Sequence, residues 1–218
     1  MQIEASESAS RLDVGQRLID AAEKLVALKG ETAASSRAII QEAGQRHNSA
    51  ITYHFGSRRA LFDAVWVSRS AAVDRYRVPL LAELDSPGLA DLVPAYVLPL
   101  ARYLDERKPS YWARFNEESL RRYLLQLPSE LRTNLHATPA GTGLLTLLDV
   151  FEQMQKLTCR GEQPAAGLRV TQAVRVVVTT FAAWEREQDA DVETGSARQL
   201  GAHLIPGVLG LLQAPSPG

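Results

Sequence analysis

Cysteine is almost absent from this chain. Cys159 is the one cysteine in 218 residues, which excludes an internal disulfide and any cysteine-rich zinc site. A reducing compartment suits such a chain, so a cytoplasmic location is expected. Aromatic residues make up only 6%. No apolar run approaches the roughly 18 residues that a membrane helix needs, so the protein is read as soluble, without a membrane partner. The opening MQIEASESASRLDVG lacks the basic-then-apolar order of a secretory signal. His47, His54, His136 and His203 are scattered without metal-ligand spacing, and neither a metal nor a cofactor is expected. No Gly-rich phosphate loop, Ser-His-Asp order or HExxH motif occurs. The adjacent acids Asp105-Glu106 and Glu117-Glu118 point to different helix faces and form no carboxylate dyad. The chain is not read as an enzyme.

What is present is a substantial apolar content, 45%, in a chain long enough to bury about 70% of its unfolded surface. The net charge of −1 conceals an asymmetry. Between Ser10 and Arg77, 11 Lys and Arg face 7 Asp and Glu, a balance of +4. From Val78 onward 13 basic residues face 16 acidic ones, a balance of −3, and Glu4 and Glu7 supply the other −2. A small basic module joined to a larger acidic one suggests that the first faces an anion.

The periodicity is helical throughout. A polar leader occupies residues 1–14. From Gly15, residues Leu18, Ala22, Leu25 and Val26 share one helix face, and Lys29-Gly30 supplies a stop. Ser35 to Ala43 reads as a second helix, capped by Ser35 or Ser36, with Ile39, Ile40 and Ala43 inward and Gly44 closing it. After Gln45-Arg46-His47, Asn48 or Ser49 can cap a very short third helix that Phe55-Gly56 ends. Ser57 then caps a longer fourth helix with Leu61, Phe62, Val65 and Trp66 inside. The remainder reads as helices broken by prolines, with Pro94 and Pro99 expected to begin, kink or split an apolar helix. Arg175 to Phe181 has β-propensity in isolation, but no second strand is available to pair with it. The fold class is all-α.

Two short helices joined through glycine form a helix-turn-helix pattern. Burial of Ile39, Ile40 and Ala43 against Ile51 and Phe55 leaves Ser49, Thr52, Tyr53 and His54 outward, where they offer polar groups to base edges or phosphates. Arg37, Arg46, Arg58 and Arg59 surround the unit, and His47 lies in the connection.

The stretch Arg17 to Trp66, above all Ala43-Gly44 through Tyr53-His54-Phe55-Gly56-Ser57-Arg58 to Leu61-Phe62, resembles the DNA-binding domain of TetR-family transcriptional regulators. The resemblance covers about a quarter of the chain. It implies that Ser35 and Ser36 bind phosphate, and that Asn48, Ser49 and Thr52 read bases. It also implies that Tyr53 and His54 touch the backbone or an adjacent base, and that Arg58 grips a phosphate. The sequence departs from the family in a turn one residue longer, in Ser49 for a common Gly and in Thr52 for a common Tyr.

The expected architecture is therefore a helix-turn-helix domain over residues 15–78, followed by a larger helical-bundle domain over 79–218. By family analogy the second domain holds a small-molecule effector and forms the dimer. Tyr96, Arg102, Tyr103, Trp112, Phe115, Phe151 and Met154 are candidates to line a pocket for a hydrophobic or aromatic effector. Val170, Val174, Val177, Phe181, Leu204, Val208 and Leu211, with Gly201, Gly207 and Gly210 for close approach, are candidates for a two-fold interface. The expected function is a homodimeric, ligand-released repressor on a palindromic operator in double-stranded DNA. The alternatives are a DNA-binding regulator governed by a protein partner or acting as activator, and a helical small-molecule-binding protein without DNA function.

Overall fold

The computed structural model describes residues 2–121, 142–158 and 165–215. His136 and Cys159 lie outside them. The described residues form α1 (Gln2–Ala33), α2 (Ser36–Glu42), α3 (Ala50–Phe55), α4 (Arg58–Ala82), α5 (Leu89–Glu106), α6 (Trp112–Leu120), α7 (Thr142–Leu157), α8 (Ala165–Asp189) and α9 (Ala197–Gln213). Among them there is no strand, so Arg175–Phe181 is helical as its flanks required. Also among them, no helix is long and apolar enough to cross a membrane.

The chain divides into two compact units, Met1–Trp66 and Val67–Gly218. The division falls inside α4 rather than at its end. Helix α1 runs from Gln2, through the residues read from sequence as a leader, and breaks at Gly30 (φ 79°), where the stop was expected.

The first unit has the core its periodicity announced. Leu18, Ala22, Leu25 and Val26 of α1 are buried with Ile39, Ile40 and Ala43 of α2, Ile51 of α3, and Leu61, Phe62 and Val65 of α4. Lys24 of α1 adds an ion pair to Glu42 of α2 at 2.6 Å.

In the second unit α5 packs against α9 and α7, and α8 against α6, α7 and α9. Pro79, Pro94, Pro99 and Pro206 all sit inside helices that continue past them, so the break expected at Pro79 and the split at Pro94 or Pro99 do not occur. The start of α9 is fixed twice. Ser196 and Gln199 cap each other's backbone amides, and Asp105 of α5 accepts from the amides of Ala197 at 2.7 Å and Arg198 at 3.1 Å.

Two expectations change here. Val170, Val174, Val177, Phe181 and Val208 are each less than 5% exposed within the single chain, so they have no surface left for a partner. Leu204 and Leu211 are half-buried. Gly201 serves close approach inside the chain as well: a Cβ there would stand 3.1 Å from Ala101 and 3.3 Å from Val97 of α5. The periodicity identified a buried face correctly, but it is the chain's own helices that cover it.

Of the candidate pocket residues, Tyr96, Tyr103, Trp112, Phe115, Phe151 and Met154 are buried. Tyr96 meets Phe151 edge-on at 5.1 Å between ring centroids, and Trp112 stacks on Phe115 at 5.7 Å. Arg102 does not join them. It is exposed, bonded to Glu106 at 2.8 Å and placed over the Tyr76 ring at 4.4 Å.

Candidate nucleic-acid interface

Helix α2 begins where Ser35, in extended conformation, accepts a hydrogen bond from the amide of Ala38 at 3.2 Å. It ends in a Schellman turn. The amide of Gly44 (φ +66°) bonds to the carbonyl of Gln41 at 3.0 Å, and that of Gln45 to the carbonyl of Ile40 at 2.9 Å. Only a residue that tolerates positive φ closes the helix this way, so Gly44 fixes the angle at which the chain enters the next helix.

Helix α3 spans only six residues, too short to be stable alone. Ala50 and Ile51 bury its inner side. Phe55 is half-buried beside Gly15, where a Cβ would lie 3.9 Å from its ring. Ser49 precedes the helix without a side-chain cap bond, which leaves its hydroxyl uncommitted to α3. Gly56 (φ 78°) ends α3, and Ser57 starts α4 by accepting from the amide of Ala60 at 3.1 Å.

The opposite side of this unit is open. Ser35, Ser36, Arg37, Arg46, His47, Asn48, Ser49 and Thr52 are all exposed, and Tyr53 is 62% exposed. His54 is half-buried, its ring edge-on to Tyr53 at 5.0 Å. Arg37 and Arg46 have no carboxylate partner among the described residues, so their charge is available to an anion. Arg59 instead pairs with Asp63 at 3.2 Å.

Arg58 departs from the rest. Its Nη1 donates to the carbonyls of Glu31 at 3.3 Å and Ala34 at 3.1 Å, and its guanidinium lies 5.4 Å from the centre of the Phe62 ring. It ties the end of α1 to the start of α4, and one edge of its fork is already spent. No local pattern in the sequence announced that bond, because the two groups are 24 and 27 residues apart.

Residues 18–65 match the family model described as bacterial regulatory proteins, tetR family. The match spans α2 and α3 with the parts of α1 and α4 that pack on them. This match supports a DNA-binding transcriptional regulator. No curated protein matches the chain. Among solved structures it is similar to the crystal structure of multidrug binding protein EbrR complexed with imidazole, at 18% identity and a TM-score of 0.41. That likeness covers 93% of this chain and 96% of the other.

Proposed function

We propose that the protein is a repressor that binds a palindromic operator as a homodimer and is released by a small-molecule effector. The observation that carries this reading is the division of α3: Ala50 and Ile51 lie inside, while Ser49, Thr52 and Tyr53 lie outside beside two uncommitted arginines. In this reading the exposed Asn48, Ser49 and Thr52 read base edges, and Arg37 and Arg46 neutralise phosphates.

One six-residue helix offers few contacts, and duplication by a two-fold axis supplies the rest, with recognition helices about 34–36 Å apart in successive major grooves. The outer side of α9 suits the partner copy. Ala202, Pro206 and Gly210 recur every four residues on its exposed face, with Gly207 beside them, while Ala197, Gly201, Val208 and Leu212 bury the other. Added Cβ atoms at Gly207 and Gly210 would meet nothing within 4 Å, so this face is smooth and unfilled. Release follows when an effector binds more tightly to a conformation in which the two recognition helices are wrongly spaced.

Enrichment of genomic fragments on the purified protein tests the reading. The expected result is a set of sites sharing an inverted repeat, bound with strong salt dependence. Recovery of fragments without a shared repeat, or absence of salt-sensitive duplex binding, would overturn it.

A further inference from the structure

A cleft of about 230 Å³ opens in the second unit where the α5–α6 connection faces the end of α8. Its floor is Leu104, Ser110, Trp184 and Glu185, all buried, and its rim carries the cations Arg107 and Lys108. None of the residues proposed from sequence for effector binding lines it.

The polar floor is already satisfied from within. Glu185 reaches from α8 to the first turn of α6, accepting from the amides of Ala113 at 3.1 Å and Arg114 at 2.9 Å. Arg114, itself 4% exposed, donates Nε to Glu185 at 3.4 Å and Nη2 to the carbonyl of Ser110 at 3.2 Å, and pairs through Nη1 with Asp189 at 2.7 Å. Arg114 thus pairs with both acids, and the α6 amides hold Glu185 as well. A cationic guest would find them occupied.

The rim is different. Lys108 is exposed, has no carboxylate partner among the described residues, and holds its ammonium 6.0 Å from the centre of the Trp184 ring. An anion entering here gains a charge-assisted partner at the mouth and an indole and an aliphatic wall below. A cavity of about 150 Å³ admits benzene, so this one has room for a six-membered ring bearing a carboxylate.

We propose that this cleft is a binding site for a small aromatic carboxylate, its ring against Trp184 and Leu104 and its charge on Lys108. The site is distinct from the DNA-facing surface, and binding here holds whether or not occupancy alters operator affinity.

Calorimetric titration of the full chain with sodium benzoate tests it, beside benzyl alcohol as the neutral analogue. The expected result is one saturable site per chain, weakened about tenfold or more by Lys108→Glu and bound about tenfold or more weakly by benzyl alcohol. Lys108 is exposed, so the variant keeps the wild-type circular dichroism spectrum. No saturation at millimolar benzoate, equal affinity in Lys108→Glu, or equal affinity for the alcohol would each overturn the proposal. Operator binding is assayed separately, so a failure here is distinguishable from a failure of the regulator reading.

Discussion

Arg77 gives the carbonyl of Ala95 the hydrogen bond that Pro99 cannot. In an uninterrupted helix the amide of residue 99 would bond to that oxygen; proline has no such hydrogen, and Nε of Arg77 in α4 reaches it at 3.2 Å in a buried setting. Nη1 of the same guanidinium pairs with the buried carboxylate of Asp74. This bond lets α5 run through Pro99 without leaving a buried acceptor unpaired.

Arg77→Met is therefore expected to destabilise the protein by about 3 kcal/mol or more, since it strands the carbonyl and takes the cation from the buried carboxylate, which keeps only its hydrogen bond from Thr146. In a Pro99→Ala background the helix can bond Ala95 itself, and the loss is expected to shrink by about 1 kcal/mol. Urea unfolding of the four proteins of this cycle checks the coupling; strict additivity would show that Arg77 does not substitute for the missing amide.

Glu185 predicts a pH effect. Burial pushes its carboxyl above the usual carboxylate range, despite the hydrogen bonds from Ser110, Arg114 and Ala113 and the Arg114 charge, which pull it down. A raised folded-state value means that the group favours folding fully below the unfolded value, near 4.3, and that this contribution is lost as pH rises through the folded value. Glu185→Gln cannot ionise. Its unfolding free energy is expected to gain on the wild type as pH rises from about 4 toward neutrality. A difference between the two proteins that stays constant over that range would contradict the assigned direction.

Local chemistry explains which of these features the sequence displayed. Ser35, Gly44, Gly56 and Ser57 act within four residues of themselves, so the caps and stops of the helix-turn-helix were visible without a fold. Thr52 and Tyr53 were identifiable as outward-facing because Ile51 fixed the inner side of a single short helix. The ties of Arg58 to α1, Arg77 to α5 and Arg114 to Glu185 join residues as much as 71 apart, and no periodicity encodes them. The valines of α8 show the intermediate case. Their spacing reveals a buried face, yet an apolar stripe looks the same whether its own chain or another copy covers it.

Arg58 offers a sharp test between two roles. With Nη1 held by Glu31 and Ala34, Arg58→Ala is expected to cost about 1–2 kcal/mol of stability and to leave the salt dependence of duplex binding unchanged. Arg46→Ala is expected to do the reverse, flattening the logarithmic salt slope by about 0.9 with little effect on unfolding. A slope reduced by one contact in the Arg58 variant would return that residue to the phosphate-binding set.

Base reading is separable from phosphate binding. Asn48→Ala and Thr52→Ala are expected to relax the base preference at particular operator positions, each by about 1–3 kcal/mol of discrimination, with the salt slope retained. Selection from random duplexes measures this directly. An unaltered consensus in both variants would remove α3 from the reading role, whatever the total affinity.

The dimer reading turns on the open side of α9. Gly210 sits on its exposed small-residue stripe, where an added side chain meets nothing within the chain. Gly210→Arg should therefore leave the monomer fold intact, apart from the roughly 1 kcal/mol by which a non-glycine residue favours a helix. Against a second α9 packed on that stripe, however, the bulky cation must be buried or must hold the helices apart. Sedimentation is expected to show a dimer for the wild type and a monomer for the variant at the same concentration, with operator affinity falling in parallel. A variant that remains dimeric would show that the partner copy docks elsewhere.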